Sequence, residues 1–223
     1  MAVLRTLVAQ TDEQRQFDEN DVQLRLMCIV TAFELLTGQG THFLLLVCDT
    51  DTANPSGEAL NIDLDDFVVH LYALIPRLVV VSNIDVPLAS FVGCSIREQS
   101  LADLLFRALN IVFSPRIFGA AAPTWRSAAF TKRLLSSSLH WPSATVLRVL
   151  DFVGKLVNKD SKLKTLLSTE DRIFDGIYRA DIEDPQICNP MAACLWEVYA
   201  LANNHWDSQV KNGAENLINM VLT

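Results

Sequence analysis

Residues 142–158, PSATVLRVLDFVGKLVN, constrain the fold more than any other stretch. At helical spacing Arg148, Asp151, Lys155, Asn158 and the adjoining Lys159 share one narrow polar strip, and almost everything else is Val, Leu or Phe. A helix so apolar around its circumference has to be covered on two sides. Antiparallel helix pairs stacked in a row supply such cover. Other segments repeat the pattern: Val22, Leu26, Ile29, Val30 and Phe33; Leu64, Phe67, Val68, Leu71 and Leu74; Leu101, Leu104, Leu105, Ala108 and Val112. Further helices are expected over 124–139, 190–203 and 207–222, the last two with apolar rows Met191, Leu195, Val198, Ala202 and Val210, Ala214, Leu217, Val221. No stretch alternates for long, and eight Gly with eight Pro in 223 residues are few for a β-rich chain. The expected class is all-α, as an irregular α-solenoid of HEAT- or armadillo-like helix pairs without a strict repeat.

Punctuation agrees with these limits. Asn189-Pro190, Trp141-Pro142 and Pro123-Thr124 put prolines at or just before a first helical turn, where the missing N–H costs nothing. Asp63 with Asp66, and Asn20 with Asp21, offer acceptors at helix starts. Pro76 should end or kink the helix before it. Residues 41–57, THFLLLVCDTDTANPSG, read as a loop or short stray strand. Residues 168–189 are acidic and broken by Gly176 and Pro185, yet carry Ile173, Phe174, Ile177 and Tyr178, so they read as an ordered connector pinned by its aromatics.

Half the residues are apolar and a fifth charged, enough to bury one large core or a row of small ones without metals or disulfides. The five cysteines, Cys28, Cys48, Cys94, Cys188 and Cys194, form no CxxC pair and are expected as reduced, packed thiols. The N-terminal stretch lacks the long apolar core of a cleavable signal. The run FVVHLYALIPRLVVV is interrupted by His70, Pro76 and Arg77, short of the roughly 20 clean residues of a membrane span. No membrane contact is expected.

Charge is uneven. Residues 116–179 hold eleven Lys or Arg against five Asp or Glu, while the whole chain carries −8. One positive region in an acidic chain suits RNA or an acidic partner. It suits a solvated face equally, since Asp151 lies three residues from Arg148 and four from Lys155. Arg126 and Arg133, seven apart on one strip, and Arg148 and Lys155, likewise on the next helix, are the expected contacts.

Reactive centres find little support. His205 and Asp207 flank Trp206, but His42, His70 and His140 lie at no ligand spacing from them. Trp196, Asn204, His205 and Trp206 read better as a corner: a helix stops at Asn203-Asn204, Asp207 caps the next, and Trp206 wedges between the two. SLHWP, with Trp141 and Pro142, reads as a second corner. Ser136, Ser137 and Ser138 near His140 lack an elbow or carboxylate partner, and read as serines facing a groove or solvent. No phosphate-binding glycine loop, HExxH or calcium-loop order is present in the sequence. No cofactor, small-molecule substrate or enzymatic activity is expected.

AAFTKRLLSSSLHWPSATVLRVLDFVGKLV, followed by EDPQICNPMAACLWEVYALANNHWDSQVKNGAENLI, resembles the CCAAT-binding-factor domain of the nucleolar complex-associated proteins. Arg133 to Leu135, Pro142, Glu183 to Pro185, Leu195 to Glu197 and Asn204-His205 occupy that pattern's places in order. Upstream, LRLMCIVTAFELLTGQG, GEALNIDLDDFVVHLYALI and SIREQSLADLLFRAL look like the third branch of that group. The resemblance implies one such helical domain over 1–223. It implies a nuclear, nucleolar scaffold for large-ribosomal-subunit precursors, paired as a heterodimer with another nucleolar complex protein and touching pre-ribosomal particle proteins and pre-rRNA. The alternative it implies is a protein-binding solenoid at chromatin, linked to replication initiation. Family members are much longer, so the chain resembles a C-terminal piece. Between GQG and EALNIDL, Thr41 to Ser56 intervene as an inserted loop.

Overall fold

The computed structural model describes residues 19–36, 64–87, 99–114, 122–167 and 176–222. The readings of 41–57, of Asp63, Cys48 and Cys94, and of Ile173 and Phe174 lie outside the described residues. Within them the architecture is all-α: α1 Glu19–Leu36, α2 Leu64–Leu74, α3 Leu101–Val112, α4 Thr124–Ser138, α5 Ser143–Lys159, α6 Trp196–Asn204 and α7 Ser208–Leu222, with short 3₁₀ turns at Ile75–Val79, Ser161–Leu166 and Pro190–Ala192. The β-type pairing among the described residues is an isolated bridge between Pro87 and Ser100. The helices fall into two compact units, one with α1 to α3 and the other with α4 to α7 and residues 75–85.

In the first unit α1 packs against both α2 and α3. Leu26, Ile29 and Phe33 of α1 are buried, and Phe33 meets Phe67 of α2 edge to face at 6.2 Å. The outer edge is tied by Glu34 to Arg107. Before α3, Ser100 accepts the Asp103 backbone N–H at 3.1 Å and Asp103 accepts the Ser100 N–H at 3.1 Å, a reciprocal capping box. Burial pushes the Cys28 thiol up from its ordinary value, as for a cysteine packed as a small hydrophobe. Pro76 acts as expected: α2 stops at Leu74 and the chain tightens into a 3₁₀ turn.

The second unit is two helix pairs. SLHWP closes the α4–α5 corner, with the His140 and Trp141 N–H groups donating to the Ser137 and Ser138 carbonyls, each at 3.1 Å, and Trp141 buried. Pro142 precedes α5 at φ −60°. In the second pair α7 lies on α5 in the same direction, because Gly213 faces Leu147 and Leu150, Leu217 faces Gly154, and Met220 faces Asn158. Those are the relations of stacked helix pairs. Gly213 sets the approach: a Cβ there would stand 3.2 Å from Leu150 Cδ1. α4, α5 and the 3₁₀ turn at Ser161–Leu166 bury Phe130, Leu134, Val149, Val153 and Leu163 between them.

One helix begins later than its apolar row suggests. Residues 190–203 were expected to be helical throughout, but Pro190–Ala192 form a 3₁₀ turn and α6 starts at Trp196. The physical reason is tertiary. The Leu195 N–H donates to the Leu166 carbonyl at 3.0 Å, and the Cys194 carbonyl is taken by a lysine of α4, so the segment between the helices is held extended.

Replacing Ser100 by Ala removes one half of the capping box. The first unit should lose about 1 kcal/mol, read as faster amide hydrogen exchange in the first turn of α3 with little change in α4 to α7.

Candidate interaction surface

The adjacent cations of α4 organise the second unit from inside. Lys132 is buried, and its Nζ donates to Glu197 Oε1 at 2.6 Å and to the Cys194 carbonyl at 2.8 Å. Its ammonium also lies 5.5 Å from the Trp196 ring and 5.9 Å from the Tyr178 ring. Glu197 is fully buried and accepts a second bond from Ser136 Oγ at 2.5 Å, while its Oε2 has no hydrogen-bond partner. A carboxylate in that position is held by the paired lysine, and losing either partner would strand the other.

Arg133 serves the connector. Its Nη2 donates to the carbonyls of Ala180 and Ile182, both at 2.8 Å, binding the main chain of residues 180–182 from below. The strap closes on itself where the Arg179 N–H donates to the Cys188 carbonyl at 2.9 Å. Gly176 opens the described part of the strap at φ +114°, and a Cβ there would meet the Asn189 side chain at 2.5 Å. Ordering of the connector was expected from its aromatics. Among the described residues of the connector, Tyr178 lies by Lys132, Ile177 is exposed, and Arg133 binds the main chain.

The expected basic stripe is therefore corrected in part. Arg126 is 4% exposed, with its guanidinium 5.3 Å from the Trp125 ring, and Arg133 is 5% exposed. Both are interior groups, because α4 is covered on nearly every side and its charges are covered with it. Arg148 is half-buried on α5, and Lys155 is exposed and paired with Asp151 at 2.6 Å. The serines next to them also turn inward: Ser136 to Glu197, Ser138 to the Leu135 carbonyl at 2.8 Å.

The corner between α6 and α7 is a corner, yet its tryptophan does not wedge. Trp206 is 84% exposed and stacks on His205 at 5.7 Å. The turn is closed by polar groups instead: the Asp207 N–H donates to His205 Nδ1 at 3.1 Å, the Gln209 N–H to Asp207 Oδ1 at 2.9 Å, and the His205 N–H to the Leu201 carbonyl at 3.3 Å. With these bonds made, no side chain need fill the corner. Asn204 ends α6, exposed, and Trp196 begins it, half covered by Lys132.

What remains outward is the flank of α5. Lys159 ends α5 and is exposed, and past the helix end Lys162 is exposed and Lys164 half-buried on the 3₁₀ turn. Asp160 is occupied by the Lys162 backbone N–H at 3.1 Å. Lys159 was expected on the polar strip of α5; Lys162 and Lys164 entered only the charge count of residues 116–179. Beside them, α5 and α7 enclose a groove of about 270 Å³ lined by apolar Leu147, Leu150, Leu217 and Met220 and by polar Lys155, Asn158 and Asn216. Among the described residues, no His, Cys, Asp or Glu group is placed to hold a metal ion and no helix is long and apolar enough to cross a membrane.

The helix pairs of the second unit commit Lys132, Arg133 and Glu197 to tying the chain together and turn a basic flank and a groove outward. The chain belongs to the CBF/Mak21 family, whose model matches residues 25–214 and so runs through both units. Nucleolar complex-associated protein 3 of Saccharomyces cerevisiae is similar at 30% identity over 97% of this chain and 31% of its own length. The Schizosaccharomyces pombe protein of the same name is 29% identical over 98% of this chain and 28% of its own, and nucleolar complex protein 3 homolog of Homo sapiens 26% over 98% and 22%. The chain thus spans less than a third of the length of these relatives.

Glu197→Gln or Lys132→Met alone should cost about 3–5 kcal/mol, by urea unfolding of the second unit. The double variant Lys132→Met with Glu197→Gln should recover much of that loss. Equal, additive losses would show that the pair is not coupled.

Proposed function

We propose that the chain is a non-enzymatic helical scaffold in the nucleolar assembly of large-ribosomal-subunit precursors. It acts by holding proteins, with another nucleolar complex protein as heterodimer partner, and by touching pre-rRNA. Its compartment is the nucleus and nucleolus, which the relatives' names carry from yeast to human. The irregular α-solenoid reading is supported by the parallel stacking of α5 and α7, and the reading of 1–223 as one domain by a family match that runs through both units. In that reading residues 41–57 are an insertion and 168–189 a connector strapped across the second unit.

The observation that carries the RNA contact is the end of α5 and its 3₁₀ continuation. There Arg148, Lys155, Lys159, Lys162 and Lys164 are opposed by Asp151 and Asp160, whose carboxylates are already engaged by Lys155 and by the Lys162 backbone. Phosphate attraction of this kind needs surface cations and releases counterions, so it weakens with salt. The groove beside the flank suits a protein side chain at the same place. Arg126 and Arg133 stay out of the contact set, since reversing a buried charge unfolds the unit rather than testing a surface.

Lys159→Glu with Lys162→Glu should leave urea stability within about 0.5 kcal/mol. In affinity purification of the full-length protein the same variant should cut co-purified precursor rRNA by about tenfold. Undiminished rRNA recovery from a folded variant discards the RNA contact and leaves a scaffold that binds proteins alone.

A further inference from the structure

Two isoleucines and two aromatic rings of the second unit are exposed on neighbouring segments, the strap and the start of α6. Ile177 and Ile187 are 82% and 64% exposed, and the bond from the Arg179 N–H to the Cys188 carbonyl sets their two stretches of strap side by side. Tyr178, next to Ile177, shares the Lys132 ammonium with Trp196, so the strap and the start of α6 are neighbours. Trp196 and Tyr199, three residues apart on α6, face the same way and remain 53% and 39% exposed.

The two rings are held in place before any partner arrives. Trp196 rests against Lys132, and the Tyr199 hydroxyl donates to the Leu167 carbonyl at 3.1 Å. Large side chains fixed in one rotamer lose little entropy on contact, which is the property of interface anchors. Large exposed apolar groups on neighbouring segments are the material of a binding face.

Charge decides the occupant. The described strap, 176–189, carries Asp181, Glu183 and Asp184 against Arg179 alone. Arg179 reaches Asp181 at 3.4 Å and Arg77 reaches Glu183 at 3.7 Å, but both carboxylates stay largely exposed. Lys132 is neutralised by Glu197. The rim is acidic, which repels RNA phosphate and sets like charges opposite each other in a pair of identical chains. We infer that the face made by Ile177, Ile187, Trp196 and Tyr199 seats an amphipathic helix of a partner protein, its apolar stripe on the rings and its basic flank toward Asp181 and Glu183. The inference rests on the scaffold reading and concerns a surface separate from the α5 flank.

The test uses the full chain and a fluorescently labelled Leu/Lys peptide of about 18 residues patterned as an amphipathic helix. Anisotropy should report micromolar-range binding that falls tenfold or more in Trp196→Ala and in Ile177→Ser with Ile187→Ser. The second variant changes exposed side chains only, so it keeps the test valid if the first perturbs Lys132. A peptide with Glu for Lys should not bind, and Lys159→Glu with Lys162→Glu should bind the Leu/Lys peptide undiminished, which separates this face from the RNA contact. No binding to the unaltered chain, equal binding by the face variants or by the Glu peptide, displacement by a short single-stranded RNA, or self-association lost in Ile177→Ser with Ile187→Ser would each overturn the inference.

Discussion

A lysine paired with a carboxylate away from water ties α4 to the start of α6 in the second unit. Lys132 reaches Glu197, the Cys194 carbonyl and the faces of two aromatic rings from one nitrogen. It thereby determines where α6 can begin and where the connector can lie. A buried pair of this kind adds little net stability compared with apolar packing, but it penalises every arrangement in which one partner is left alone.

Arg133, one residue on, extends the same logic to a segment without regular structure. Neighbouring helical residues point about 100° apart, so Lys132 and Arg133 address different elements: the start of α6 and the strap. The strap then positions Ile177 and Ile187, and the start of α6 positions Trp196. The apolar face is thus a product of two buried cations, while the basic flank of α5 comes from cations left in water. In this chain the same residue types build the interior on one helix and a surface on the next.

The sequence made the helices legible because their apolar spacing is local information. α2 and α3 match the expected rows, and α5 and α7 start within a residue or so of the expected positions. The start of α6 was not legible, since it depends on Leu166 and Lys132, far away along the chain. Arg126 and Arg133 were misplaced for a related reason. A seven-residue spacing shows that two side chains share a strip, not whether that strip faces solvent. A clue was present: α4 is flanked by Ala128, Ala129, Leu134 and Leu135 on several sides, and a helix covered on two sides must cover its charges as well. Trp206 failed differently, because polar closure by Asp207 and His205 left its ring nothing to fill.

Arg133 grips the connector by main-chain oxygens rather than by side chains. Every amino acid offers the same carbonyl, so residues 180 and 182 can be exchanged without loosening that hold. The strap can therefore diverge on its outer side while its path stays fixed, and related proteins can present different outward faces on one unchanged inner anchor.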